Sequence, residues 1–335
     1  MDLSIIIVNY KSSHHVLKCL HSIEECKMKI NYEIIVVDNA SGDDSKELIL
    51  SAFNQIIWVQ GEYNAGFARA NNRGIRVSKG RNILLLNADT IIKNDAIEQT
   101  VSMFDKEDRC SACGVQLLNP DGSKQFSGAK FVTGGINNFL ALPYLGQLIR
   151  YLGFKSGMKQ HNIVDIKKDI DVDWIVGAFI MTRRSTLDRA GLLDEDFFIY
   201  AEEIEWCSRL RKYGPMKLYH KPEVVHIGGG TSSSFYNKKS NENFGNLHDQ
   251  KGKQILLSQW LRIRKQYGLL WYLFHVFVYY TEILTFGILL AIDKLIKGKN
   301  STHHYSEWIG YTKNIIKLGK YIPMIAIHKH QFYKA

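Results

Sequence analysis

The chain has 335 residues, 45% of them hydrophobic, and carries 43 Lys and Arg against 33 Asp and Glu, a net charge of +10 and a pI near 9.2. That length holds one large α/β domain plus a smaller appendage, and the basic balance predicts an acidic partner: nucleic acid, anionic lipid or an anionic nucleotide. Five irregularly spaced cysteines exclude a disulfide framework and predict a reducing compartment; Cys110-x-x-Cys113 reads as structural, since no second pair or histidine lies in range.

Met1-Asp2-Leu3 runs straight into a strand with no cationic leader, so no signal peptide is expected. Residues 3–8 are apolar and β-branched, as a buried parallel strand should be. Asn9 to Ser13 form the turn after it. Ser12 or Ser13 is placed to cap a helix whose Val16, Leu17, Leu20 and Ile23 share one face. Residues 33–37 predict a second strand ending at Asp38-Asn39, and Asp44 with Glu47 fits a capping box for the next helix. Residues 56–59 predict a third strand. A helix opening with small residues follows from Asn64, and Ile83 to Leu86 predict a buried strand closed by Asn87, Ala88 and Asp89. Three successive β-α units predict a parallel sheet with right-handed crossovers.

Asp89 stands where open α/β sheets bind ligands, at the carboxyl end of a strand. A carboxylate there suits a divalent cation holding a diphosphate, although a strand end followed by a polar turn has the same composition. The turn after the first strand lacks glycine, and there is no Gly-Lys-Ser/Thr loop. The nucleotide is therefore not held as in a nicotinamide dehydrogenase or a P-loop enzyme. Further on, a helix is expected near residues 95–104, a strand at 114–118, a turn at Asn119-Pro-Asp-Gly122 and a helix from Glu202. Residues 131–170 have weak periodicity. Residues 224–232 close the globular part.

Taken in order, Ile5-Ile-Ile-Val-Asn-Tyr10, Val36-Val-Asp-Asn-Ala-Ser41, Asn64-Ala-Gly-Phe-Ala68, Leu85-Leu-Asn-Ala-Asp89, Asn119-Pro-Asp-Gly122, Trp174-Ile-Val-Gly-Ala178, Phe198-Ile-Tyr-Ala-Glu-Glu203 and His226-x-x-Gly229 resemble the family 2 glycosyltransferases. The resemblance covers roughly residues 1–235 and leans toward the rhamnosyltransferase-like bacterial members. It implies the α/β GT-A fold, a Rossmann-like, mostly parallel sheet flanked by helices. It implies a catalytic domain over 1–240, with a nucleotide-sugar half at about 1–120 and an acceptor half at about 121–240. The implied activity is inverting transfer of a sugar from a nucleotide diphosphate (dTDP- or UDP-sugar, such as dTDP-rhamnose) to a hydroxyl of a glycan or polyprenyl-linked glycan in surface polysaccharide synthesis. By the same resemblance Asn9, Tyr10, Asp38, Asn64, Arg69, Asn87 and Asp89 bind the nucleotide-sugar, and Trp174 and Gly177 line the acceptor site. Asn87-Ala-Asp89 stands for the family's Asp-x-Asp metal motif, with neutral Asn87 as the departure. Asp89, with His226 as a second ligand, is the candidate pair for Mn²⁺ or Mg²⁺, and Arg209 and Arg211 are candidates for phosphate. The family's Glu-Asp pair maps onto Glu202-Glu203. Glu203 is the first candidate for the base that deprotonates the acceptor and Glu202 the second.

Other readings fit some of these residues. His226 suits a strand-end core histidine, Arg209 and Arg211 suit solvated helix charges, and Trp174 suits packing. A catalytically inactive nucleotide-sugar-binding or scaffold protein remains the rival to the enzyme. Nucleic acid is disfavoured, because the basic residues gather beside apolar segments and no RNA motif appears.

Residues 245–335 change character. An amphipathic helix is expected around 255–265, and residues 269–292 give two dozen mostly apolar positions, long enough to cross a bilayer. Glu282 lies near the middle of that run, where charge is costly, and Lys and Arg flank it on both sides. This pattern predicts helices lying in the inner leaflet against anionic lipid, with the protein cytoplasmic and peripheral. A buried helical hairpin is the alternative, and a homo-oligomer stays open.

Overall fold

The computed structural model describes residues 1–155, 162–228 and 246–335. By their contacts these residues form two compact units. One comprises Met1–Lys130, Asn162–Glu195 and Glu202–Lys239; the other comprises Phe131–His161, Asp196–Ala201 and Ser240–Ala335. Segments 131–161 and 196–201, which the sequence assigns to the acceptor half, thus group with the C-terminal helices.

The first unit is built on strands β1 (Leu3–Asn9), β2 (Tyr32–Asp38), β3 (Ile57–Gln60), β4 (Asn82–Leu86), β5 (Thr90–Ile92), β6 (Ala112–Leu118) and β7 (Lys124–Gln125). To these it adds β8 (Gly128–Ala129), β9 (Asn162–Ile163), β10 (Ile170–Val172), β11 (Trp174–Ile175), β12 (Phe179–Arg183) and β13 (Met216–His226). The main sheet runs β10-β13-β6-β12-β4-β1-β2-β3, with β5 on β13 and β7 on β6; β11, β8 and β9 make a small second sheet. Pairings among β3, β2, β1 and β4 are parallel, whereas β12 runs antiparallel to both β4 and β6. The chain steps outward from β1 to β3 and then returns to β4 on the other side of β1. This makes the β1/β4 junction the switch point, where a crevice opens at the carboxyl ends of the strands.

Successive residues of these strands point to opposite faces, and both faces are covered. Ile5, Ile7, Leu84 and Leu86 enter one core, and Ile6, Ile35, Ile83 and Leu85 the other. Two expected helix caps do not form. Ser12 precedes the Ser13–Glu25 helix, but its hydroxyl donates to Asn9 Oδ1 at 3.1 Å instead of capping. Asp44 precedes the Ser45–Ala52 helix without a side-chain cap, and Ser45 N–H donates to Asp43 Oδ1 at 3.1 Å. The Glu202–Leu210 helix starts where the sequence placed it. Cys110 and Cys113 are buried and free.

In the second unit, Gln250–Tyr267 and Leu269–Lys297 are two helices separated by Gly268, whose φ of +91° breaks the run. The second helix buries one stripe: Tyr272, His275, Tyr279, Glu282, Phe286 and Leu290. Trp308 Nε1–H and Tyr311 O–H, on the Tyr305–Leu318 helix, donate to the carbonyls of Ile283 and Tyr279 at 2.9 and 2.8 Å. Glu282, the charge inside the apolar run, faces inward and accepts Tyr144 N–H at 3.2 Å, just before the Leu145–Lys155 helix. Its carboxyl is pushed up by burial. The outward face is apolar, with Phe277, Leu284 and Ile288 each 61–68% exposed. This is the only described helix long and apolar enough to cross a membrane.

Candidate active site

Every sequence-predicted site residue lies in the first unit. At the carboxyl ends of β1 and β2, Asn9 and Asp38 are register partners. Asn9 Nδ2 donates to Asp38 Oδ1 at 2.8 Å and to Ser41 Oγ at 3.1 Å. Asp38 also accepts from Ser41 N–H (3.0 Å), Ser41 Oγ (2.6 Å) and Gln60 Nε2 (2.9 Å). Four donors offset the cost of burying this carboxylate and brace the loop after β2. Asn39 extends the network: its Nδ2 donates to Asn64 Oδ1 at 3.0 Å and its Oδ1 accepts Ala65 N–H at 2.9 Å. Asn9, Asp38 and Asn64 therefore form one connected rim, with half-buried Tyr10 beside it. Arg69 points elsewhere, donating from Nε to Glu195 O at 2.8 Å and from Nη1 to Tyr63 Oη at 3.1 Å.

At the end of β4, Asn87 N–H donates to Ala178 O at 3.0 Å and Thr90 O–H donates back to Asn87 O at 2.7 Å. This tight turn leaves Asp89 buried, and its carbonyl accepts Ile227 N–H at 2.9 Å. β5 pairs with β13, placing Thr90 opposite His226. His226 Nε2 then stands 3.5 Å from Asp89 Oδ1 and 3.4 Å from Asn87 Nδ2, and its Nδ1 lies 2.8 Å from Gln125 Oε1. Behind Asp89, the Ser13–Glu25 helix packs on β5: Cys19 Sγ is 3.5 Å from Thr90 Oγ1, and Ser22 Oγ accepts Ile92 N–H at 3.0 Å. His15 lies one turn earlier on that face, its Nδ1 buried without a hydrogen-bond partner. Burial holds its imidazole below the ordinary pKa, and Asp89 pulls the other way.

The third part is the start of the Glu202–Leu210 helix. Glu202 is buried and its Oε2 has no hydrogen-bond partner. Burial first, and the neighbouring Glu203 second, push its carboxyl well above the usual range. Glu203 is half-buried and faces Gly177: a Cβ added there would stand 3.7 Å from Glu203 Cγ and 3.8 Å from the Phe67 ring. Just before it, Tyr200 and Ala201 hold φ of +73° and +65°, a strained approach costing on the order of 1 kcal/mol per residue. Trp174, on β11, stacks edge-on with Phe126 at 5.3 Å. Arg209 is committed to Glu205 through Nε (2.9 Å) and Nη2 (2.9 Å), and to Ala190 O through Nη1 (2.7 Å). Arg211 pairs with Asp173 at 3.3 Å. The structure thus brings Asn87, Asp89 and His226 together, and Gly177 with Glu203, whereas the two arginines serve local ion pairs. Gly229 of the His226-x-x-Gly229 motif, and the rest of 229–232, lie outside the described residues.

The donor set at Asp89 and His226 suits a hard or borderline cation. Two ligands of one octahedral ion at about 2.1 Å stand roughly 3 Å apart, close to the observed 3.5 Å. Among the described residues no three His, Cys, Asp or Glu side chains gather into a fuller cage. The remaining positions would fall to phosphate oxygens and water, the usual pattern for Mg²⁺ and Mn²⁺ sites on diphosphates. Gln125, Gln60 and His15 carried no signal in the sequence, being single polar residues outside any spacing pattern, whereas Asn39 lies inside the Val36-Val-Asp-Asn-Ala-Ser41 motif.

Residues 4–190 match the family described as Glycosyl transferase family 2. The chain is 30% identical over 217 residues to the low-salt glycan biosynthesis hexosyltransferase Agl10 of Haloferax volcanii, covering 63% of this chain and 62% of that protein. It is 27% identical over 248 residues to rhamnosyltransferase WbbL of Escherichia coli strain K12, covering 70% and 86%. It is 22% identical over 239 residues to an N-acetylglucosaminyl-diphospho-decaprenol L-rhamnosyltransferase of Mycobacterium tuberculosis, covering 67% and 75%.

Proposed function

The chain belongs to glycosyl transferase family 2, and on that premise we propose that it transfers a sugar, with inversion, from a dTDP- or UDP-sugar to a hydroxyl of a glycan or polyprenyl-linked glycan in surface polysaccharide synthesis. Two relatives named rhamnosyltransferases favour dTDP-rhamnose as donor, and the one named for a diphospho-decaprenol substrate favours a lipid-linked acceptor. The observation that carries the reading is the bond from Asn87 N–H to Ala178 O, because it ties the Asp89 turn to the strand end whose Gly177 abuts Glu203.

In this reading the Asn9–Asp38–Asn64 rim receives the nucleoside, and Asp89 and His226 would hold Mn²⁺ or Mg²⁺. The cation, when bound, supplies positive charge to the diphosphate leaving group. Glu203 is half-exposed and beside a glycine that leaves room for an acceptor. It takes the proton of the acceptor hydroxyl as that oxygen bonds to the anomeric carbon. The bond to the diphosphate oxygen breaks on the opposite face, so the configuration inverts. Glu202, buried and with its carboxyl pushed up by burial and by Glu203, faces away from solvent and supports the helix start. The exposed apolar face of the Leu269–Lys297 helix, with Lys294 and Lys297 in its last turn, favours a peripheral place on the anionic cytoplasmic leaflet.

The test is transfer from a panel of dTDP- and UDP-sugars to a polyprenyl-diphosphate-linked N-acetylglucosamine, with the product's anomeric configuration read by NMR. Inverted product from one donor supports the proposal. Folded protein that binds a nucleotide and transfers from none favours the scaffold alternative.

A further inference from the structure

The Asn119-Pro-Asp-Gly122 turn has no part in the chemistry above, yet its hairpin ends on a side chain that touches the candidate cation pair. Asn119 N–H donates to Ser123 O at 2.8 Å and Gly122 N–H to Asn119 O at 2.9 Å, closing the turn. The chain returns as β7, with Gln125 opposite Leu117 of β6. This delivers the Gln125 amide to the His226 ring, Oε1 lying 2.8 Å from Nδ1.

A backbone group settles which end of that amide faces the ring. Gln125 Nε2 lies 3.2 Å from the carbonyl oxygen of His226, which can only accept, and 2.9 Å from Asn119 Oδ1. The nitrogen of the amide is therefore turned to those acceptors and the oxygen to the imidazole. Nδ1 therefore carries a hydrogen, and in the neutral ring Nε2 carries a lone pair. That lone pair faces Asp89 Oδ1 across 3.5 Å, with Asn87 Nδ2 at 3.4 Å. A cation lying between Nε2 and Oδ1 would be held by both atoms.

We propose that Gln125 is the positioning residue of the cation site: it holds His226 in the Nδ1–H tautomer and thereby presents the Nε2 lone pair beside Asp89. The inference rests on the reading of Asp89 and His226 as the cation pair. It also gives the hairpin a function, since the turn sets the register that brings Gln125 to the ring. Partners of this kind typically change metal affinity about 10- to 100-fold when removed.

The test uses the full chain labelled with ¹⁵N-histidine, at fixed neutral pH. Wild type, Gln125→Leu, Gln125→Glu, Asp89→Asn and His226→Ala are compared by ¹⁵N NMR without metal and by MnCl₂ titration in the presence of UDP or dTDP. Wild type should show His226 protonated at Nδ1 and bare at Nε2. Gln125→Leu should lose that tautomer preference and weaken manganese about 10- to 100-fold. Gln125→Glu, which still accepts from Nδ1–H, should restore both, and thermal melting checks that each variant is folded. Unchanged tautomer and manganese affinity in Gln125→Leu, with affinity lost in Asp89→Asn, would overturn the role of Gln125. Manganese binding that survives both Asp89→Asn and His226→Ala would instead remove the cation pair, and the inference with it. The metal-free spectrum separates the two failures, because it reads Gln125's hold on the ring whether or not manganese binds.

Discussion

Asn87 donates its backbone N–H to the carbonyl of Ala178 at 3.0 Å, across a junction of antiparallel strands that lie 91 positions apart in sequence. Without that strand, the acidic turn after β4 and the glutamates of the Glu202–Leu210 helix would have no common support. With it, the turn that carries Asp89 and the Gly177 that abuts Glu203 lie at the same end of the β4–β12 pair.

Replacing Asp89 by Asn keeps the size of the side chain and removes its charge. Calorimetry with UDP, dTDP, GDP and CDP, each with and without Mn²⁺, should find one diphosphate bound tightly with metal by the wild type. In Asp89→Asn the metal-dependent part of that binding should vanish. Turnover should fall about 10²- to 10³-fold, the scale on which preorganised electrostatic stabilisation acts. Metal-independent binding in both proteins would remove Asp89 from its role as ligand.

The two adjacent glutamates should respond differently. Glu203→Gln should reduce turnover by about 10²- to 10⁴-fold while nucleotide affinity stays unchanged, since only proton transfer is lost. Glu202→Gln replaces a buried carboxyl by a neutral amide of the same shape and should retain most activity. Steady-state kinetics on both variants decides the assignment: the reverse pattern would make Glu202 the base.

Glu202 also predicts a pH dependence of stability. Burial and the charge of Glu203 raise its carboxyl in the folded state, so the native protein binds more protons than the unfolded chain. Its stability is fully present below the ordinary carboxylate range and declines as pH rises from there toward the elevated folded value. Glu202→Gln removes that decline. Its melting temperature should exceed that of wild type at pH 8 and converge with it at pH 4.

His275 works with the opposite sign in the second unit. Its ring is buried, with Nε2 against Gly134 O at 2.8 Å, and burial, with Arg262 adding repulsion, holds its pKa down at about 4. The stability it contributes is present above the ordinary histidine pKa near 6.5 and is lost as pH falls toward 4, about 3 kcal/mol at the acid end. His275→Gln, able to donate to the same carbonyl without titrating, should melt like wild type at pH 7.5 and later than wild type at pH 5, as followed by circular dichroism.

The apolar outward face of the Leu269–Lys297 helix gives a prediction about location. Phe277→Ser with Leu284→Ser changes two side chains that are 67% and 68% exposed, so the melting temperature should hardly move. Co-sedimentation with phosphatidylglycerol vesicles should drop by about tenfold or more, given roughly 1.5–3 kcal/mol for each large apolar side chain buried. Binding by wild type should weaken in high salt as the lysines are screened. Equal sedimentation of the two proteins would return the face to the hairpin or second-copy alternatives.

Much of this molecule was legible in one sequence because the relevant signals are local. Apolar runs bounded by turn residues marked β1, β2, β3 and β4 to within a residue or two. The periodic Val16, Leu17, Leu20 and Ile23 marked a helix, and the order of short motifs marked the family. What failed was also local: Ser12 and Asp44 stand at helix starts without capping them, and Asn9 draws the Ser12 hydroxyl.

The sequence by itself determined which residue types stand at the ends of the strands, since strand ends follow from the hydrophobic pattern and the turn chemistry. Only the tertiary structure decided what those residues do to one another. β12 entering antiparallel beside β4 set Ala178 against Asn87, and the β6–β7 hairpin set Gln125 against His226. One turn of helix buried Glu202 and left Glu203 half-open, and the inward stripe of the long helix hid Glu282 from the face it was expected to burden. Each of these depends on strand order or on which helical face meets a neighbour. Such choices are made by contacts between segments far apart in the chain, and no local period or turn residue encodes them.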